Sequence, residues 1–187
     1  MRNFSLSTAL VLAATAIACG GGETAEEAPP AEAMAPAPAP AMDWVTSDDA
    51  AKTVTITMVA GQGTANNNWN FNGHANGNAT VTVPTGYTVT INFTNEDPNM
   101  AHSAGVVAKP AGPWSATPDV TPAFAGAISK NPTSMTDATK VGDPAEALTF
   151  TAATAGEYAL ACFVPGHATS GMWINFNVVD GATAGAM

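Results

Sequence analysis

From residue 53 onward, apolar side chains alternate with small polar ones, and this period of two most restricts what the chain can form. In Thr53–Met58 the apolar set is Val54, Ile56 and Met58, interleaved with Thr53, Thr55 and Thr57. Thr80–Val83 alternates Thr with Val, and Tyr87–Thr94 sets Tyr87, Val89, Ile91 and Phe93 against Thr88, Thr90, Asn92 and Thr94. Leu148 shares a face with Phe150, as do Tyr158, Leu160 and Cys162, and then Met172, Ile174, Phe176 and Val178. Side chains two apart lie on one face of a strand, so each run is a strand with one buried side. Pro84-Thr85-Gly86, Asp97-Pro98, Ala155-Gly156 and Pro165-Gly166 punctuate the runs as turns. No helical stripe is sustained. The pattern predicts an all-β domain, a Greek-key β-sandwich or barrel.

One stretch breaks the rhythm. Pro110 to Pro144 has little periodicity and six prolines, so a long Pro-rich insertion loop is expected there, with a short helix around Thr121–Ile128. Loops this long inside a compact domain are uncommon. The plainest expectation is an insertion packed over a sheet edge by Trp114 and Phe124.

The first 42 residues carry no such pattern. Arg2, an apolar run from Ala9 to Ala18, and small residues before Cys19 form the layout of an export signal. A run of ten residues is too short to span a bilayer, which takes about 20. Ala16-Ile17-Ala18-Cys19-Gly20 resembles a bacterial lipobox, which implies cleavage before Cys19 and its lipidation. Gly20 to Met42 lacks aromatic and aliphatic β-branched residues and holds five of the fourteen prolines, so a disordered spacer is expected. At about 3.1 Å per residue in polyproline conformation its reach is at most roughly 70 Å. The chain thus divides into a signal at 1–18, a lipidated Cys with tether at 19–42, and a folded domain at 43–187. The expected location is outside the cytoplasm, lipid-anchored to a bacterial membrane, with the domain in the periplasm or outside the cell.

Composition narrows the partners. Charged residues make up 11% of the 187, the formal net charge is −10, and five basic residues are scattered. Nucleic acid binding wants clustered Lys and Arg, so it is not expected.

Chemistry concentrates near the C-terminus, in Cys162-Phe-Val-Pro-Gly-His167-Ala-Thr-Ser-Gly-Met172. Cys162 ends one buried strand and Met172 begins the next, so His167 lies in the loop joining them. His102, after the Asn95–Met100 turn, is the candidate fourth ligand. Thiolate is a soft ligand and imidazole a borderline one. Two His and one Cys with a long axial Met form the blue-copper donor set, which suits one copper ion cycling between Cu(I) and Cu(II). His74 and the Asn66–Asn68 run lie in polar loops and are expected to have no metal role.

On these residues the chain resembles the cupredoxin family, within it the sulfocyanins, and more distantly the rusticyanins. The likeness runs over most of residues 53–179. It is carried by Phe71-Asn72-Gly73, Val83-Pro84-Thr85-Gly86, Phe93-Thr94-Asn95, Pro122-Ala123-Phe124-Ala125-Gly126-Ala127, Pro165-Gly166-His167-Ala168 and Gly171-Met172-Trp173. The Cys-x4-His-x4-Met spacing belongs to that branch. The resemblance implies His102, Cys162, His167 and Met172 as copper ligands. Sulfocyanins tend to carry Asn after the first His; here it is Ser103, as in the rusticyanins. The resemblance gives this position a hydrogen bond near the Cys sulfur that ties two loops together. It also implies a monomeric electron carrier, not an enzyme, whose partners are membrane respiratory complexes, a terminal oxidase among them. One edge of His167 is expected at the surface through an apolar docking patch, with Phe163, Val164, Pro165, Ala168 and Trp173 as candidates. The competing reading is a copper carrier or store delivering metal in the periplasm. Such proteins show exposed Met and His clusters, and Met34 and Met42 in the tether are too few and too spaced for one.

Overall fold

A computed structural model of the chain describes residues 42–187. The expected export signal, the lipid-bearing Cys19 and nearly all of the tether lie outside the described residues. Nine strands follow in chain order: β1 Val45–Asp48, β2 Thr53–Ala60, β3 Thr80–Pro84, β4 Thr88–Asn95, β5 Gly105–Ala108, β6 Glu146–Thr151, β7 Gly156–Ala161, β8 Trp173–Val179 and β9 Gly185–Ala186. They form one sheet in the order β1-β2-β4-β6 and a second in the order β5-β7-β8-β3-β9. β2 runs parallel to β4 and β3 parallel to β8, while the other neighbours are antiparallel. The chain therefore crosses between sheets instead of meandering within one, as Greek-key sandwiches do.

The alternation explains the core. Val54, Ile56 and Met58 of β2 and Val89, Ile91 and Phe93 of β4 are buried, and they pack with Val81, Val83, Leu160, Ile174 and Phe176 of the opposite sheet. The threonines between them stay at or near the surface. Three strands have no readable alternation: β1 is largely exposed, β5 is buried on both faces, and β9 has two residues. Each borrows its conformation from a neighbour, since β1 pairs with β2, β5 with β7 and β9 with β3.

The insertion contains no helix at Thr121–Ile128, contrary to expectation. Pro122 cannot donate a backbone hydrogen bond, and Gly126 adopts φ +89°, so the segment turns instead. Its amides and carbonyls extend the edge of β5: Ala123 N donates to Val106 O at 2.8 Å, and Val106 N donates to Ala127 O at 2.8 Å. Phe124 enters the main core and stacks on Phe150 at 5.5 Å between ring centroids. Trp114 packs on a smaller apolar cluster of Val107, Ala161 and Phe163. The insertion covers the sheet edge, which blunts an otherwise open strand.

Candidate metal centre

β7 and β8 are antiparallel neighbours, with Leu160 opposite Ile174 and Ala161 opposite Trp173. One step further Cys162 faces Met172, joined by a Cys162 N to Met172 O hydrogen bond at 3.1 Å. Both strands thus end one residue short of these side chains. By the period of two, Cys162 and Met172 share the inward face of Leu160 and Ile174. The connecting loop curls so that Met172 N donates to His167 O at 3.0 Å and His167 N to Val164 O at 3.1 Å. Gly171 makes this curl possible. It sits at φ +97°, and a side chain there would run into Asn76. The insertion steadies the same loop, with Gly166 N donating to Ala116 O at 2.8 Å.

His102 arrives from the loop between β4 and β5. Its backbone N donates to Thr139 O at 2.9 Å, so the far end of the insertion holds the ligand loop in place. Asn95 ties the same segments, its amide donating at 2.8 Å to both Met100 O and Thr139 O. The consequence is a buried cluster of His102, Cys162 and His167. The two histidines meet through Nδ1 at 3.1 Å, and Cys162 Sγ lies 3.5 Å from His167 Nδ1 and 3.9 Å from His102 Nδ1. His102, Cys162 and Met172 are wholly buried and His167 is 1% exposed.

The donor set tests whether a metal fits. A point equidistant from the three donor atoms lies about 2.0 Å from each, matching metal–nitrogen bonds of about 2.0–2.1 Å and falling only slightly short of metal–sulfur bonds of about 2.3 Å. Burial holds both imidazoles neutral, with their lone pairs available. It pushes His167 down to about 4, helped by repulsion from His102, and lowers His102 against the opposing pull of Asp97. Burial raises the Cys162 thiol, and hydrogen bonds from Ser103 oppose it. Three soft or borderline donors crowded this closely in a dry site suit a cation between them.

The surround is as ordered as the donors. Ser103 N lies 3.4 Å and its Oγ 3.6 Å from Cys162 Sγ, and Oγ also accepts from Phe163 N at 2.8 Å. Ser103 thereby ties the His102 loop to the Cys162 strand. Asp97 Oδ2 lies 2.9 Å from His102 Nε2. A proton on Nε2 is hydrogen-bonded by this carboxylate, and in that tautomer Nδ1 is free to ligate. Trp69 stacks on His167 with ring centroids 4.2 Å apart and 19° between planes. A short 3-10 turn, Ala65–Asn68, delivers Trp69. Asn66 and Asn67 there take positive φ, and the Asn66 amide donates to Ser170 O at 2.9 Å. The Asn66–Asn68 run is therefore a clamp beside the centre, although it carries no ligand. His74 sits half-buried in a turn, bridged to Phe71, and lies outside the metal cluster.

The apolar patch needs correction. Phe163, Val164 and Ala168 are buried, because each packs inward as its segment closes over the site. Pro165 is exposed and Trp173 half-buried. His167 itself reaches almost no solvent, because Trp69 covers it. Neither Asp97 nor Trp69 was singled out from sequence; an acidic residue beside a proline and an aromatic among asparagines were their only signals.

The family model described as "Sulfocyanin (SoxE) domain" matches residues 40–186. Among solved structures the chain is similar to rusticyanin from Thiobacillus ferrooxidans, at 23% identity and a TM-score of 0.46 over 73% of this chain and 87% of that one. It is also similar to reduced auracyanin from Roseiflexus castenholzii, at 27% identity and a TM-score of 0.45 over 67% of this chain and 96% of that one. A comparison with curated proteins returns no match.

Proposed function

The chain belongs to the sulfocyanin family of cupredoxins, with one type 1 copper as cofactor, and from that premise we propose that it carries single electrons between respiratory partners. The observation that supports this most is the buried convergence of His102, Cys162 and His167, with Met172 beside Cys162. Copper bound there supplies a one-electron couple. His102, His167 and Cys162 hold their donor atoms ready, and the hydrogen bonds of Asp97 and Ser103 keep them from rearranging between redox states. Water is excluded by Trp69 and the Phe163–Ala168 segment. Electrons leave and enter over His167, through Trp69 and the exposed Pro165, where a partner makes contact.

Burial of all four ligands favours a carrier of electrons over a carrier of metal, because delivery needs an exposed route of release. An export signal and a lipid on Cys19 would tether the domain to a bacterial membrane, within reach of a membrane complex as donor and a terminal oxidase as acceptor. Transient redox encounters bury little surface, below about 1,200 Å², and so release quickly.

The test is a visible absorption spectrum of the protein titrated with Cu(II). An intense band in the red, saturating at one copper per chain, is expected from thiolate-to-copper charge transfer at Cys162. Cys162→Ser is expected to remove the band and leave the fold intact. A pale solution from the unsubstituted protein would refute the reading.

A further inference from the structure

Asp97 is a carboxylate only 2% exposed, in a protein with few charges of any kind. Burying a charge is costly unless it is paired and hydrogen-bonded. Here every link is made. Oδ2 lies 2.9 Å from His102 Nε2, Oδ1 accepts from Asn99 N at 2.8 Å, and Asp97 N donates to Asn95 Oδ1 at 2.7 Å. Space is reserved as well. Gly61, at φ +73°, passes so close that a Cβ there would come within 2.7 Å of the Asp97 backbone N and Cβ. The fold therefore brings the turn after β2 and the β4–β5 loop together around one carboxylate that touches one ligand.

We propose that Asp97 is the positioning residue of His102 and also the fixed anion that biases the centre toward its oxidised state. This rests on the copper reading above. A carboxylate on the far ring nitrogen orients the imidazole and strengthens its donation. Its negative charge also stabilises Cu(II) more than Cu(I), because the opposite charge is larger and the surroundings are dry. Ser103 works in the other direction. Its donors face the Cys162 sulfur and favour the reduced, more negative centre. These two residues push the potential in opposite directions.

The experiment compares the copper-loaded protein with Asp97→Asn and Asp97→Ala. Asn keeps an oxygen that can accept the Nε2 proton but removes the charge; Ala removes both. Cu(II) and Cu(I) affinities are read by competition with chelators selective for each ion, and the reduction potential by spectroelectrochemical titration of the blue band. Asp97→Asn is expected to keep the band and lose about 10–100-fold in Cu(II) affinity, with little loss for Cu(I). Each tenfold loss confined to Cu(II) raises the potential by about 59 mV. Asp97→Ala is expected to move further in the same direction. An intact band with an unmoved or lowered potential in Asp97→Asn would overturn the electrostatic role, as would equal losses for the two ions. Should the variants not fold, ¹⁵N shifts of His102 in the metal-free parent decide: a proton on Nε2 upholds the positioning role, and a proton on Nδ1 overturns it. A parent with no blue band would sink the copper reading instead, so the two failures are distinguishable.

Discussion

Replacing Ser103 by Ala separates two jobs done by one oxygen. Ser103 Oγ accepts from Phe163 N at 2.8 Å and faces Cys162 Sγ at 3.6 Å, and both Ser103 and Phe163 are fully buried. Without Oγ the Phe163 amide is left with no partner and no water, which costs about 1–3 kcal/mol. For a chain of this size about 1 kcal/mol moves Tm by 2–4 °C, so a fall on the order of 5 °C is expected. The second job is electrostatic. Oγ already accepts from Phe163 N, so its own proton is free to point at the sulfur. Reduction adds negative charge to the centre, and a proton aimed at the sulfur favours that state. The contact is long, so a differential of about 0.5 kcal/mol, the low end for a hydrogen bond, is reasonable. At about 59 mV per tenfold change, the potential falls by roughly 20 mV. The Ser103 N–H to Cys162 contact at 3.4 Å survives the substitution, so the blue band persists. Calorimetry gives the first quantity and spectroelectrochemistry the second. A raised potential, or a Tm equal to the parent's, would refute the reasoning.

Three further outcomes are expected. Met172→Leu keeps the copper and the colour and raises the potential, since the weak thioether donor is lost while the apolar packing remains; loss of all copper binding would refute the axial assignment. Trp69→Ala uncovers His167 and admits water, which favours the more highly charged oxidised centre and lowers the potential, whereas Trp69→Phe keeps most of the stack. The alanine variant also loses stacking worth about 0.5–1.5 kcal/mol, visible as a lower denaturation midpoint, and a raised potential would contradict the capping role. The metal-free protein weakens as pH falls from 6.5 toward about 4. His167 is held down to about 4 in the fold, so over that window the unfolded chain binds a proton that the folded chain refuses. Stability from this source is complete above pH 6.5, and denaturant midpoints that stay flat or rise on acidification through the window would exclude it.

Short-range pattern carries what the sequence determined by itself. Alternation of apolar residues with small or polar ones placed six of the nine described strands, because the buried face of a strand repeats every second residue wherever the strand lies. The Cys162, His167 and Met172 spacing was equally legible, since one hairpin between β7 and β8 brings all three to one point. What remained dark depends on distant segments. β5 is buried on both faces and β9 is two residues long, so neither alternates, and both exist through their partners. The helix expected at Thr121–Ile128 gave way to pairing with β5, a bond no local propensity records. Trp69 lies 98 residues from His167, and Thr139 lies 37 from His102, so only the folded chain brings either pair into contact. Asp97 is five residues from His102, near enough to be noticed, yet the room it occupies depends on the bare Gly61 backbone just after β2. Three of the ligands lie within one eleven-residue stretch, Cys162 to Met172; their orientation, dryness and redox bias come from packing between segments far apart in the chain.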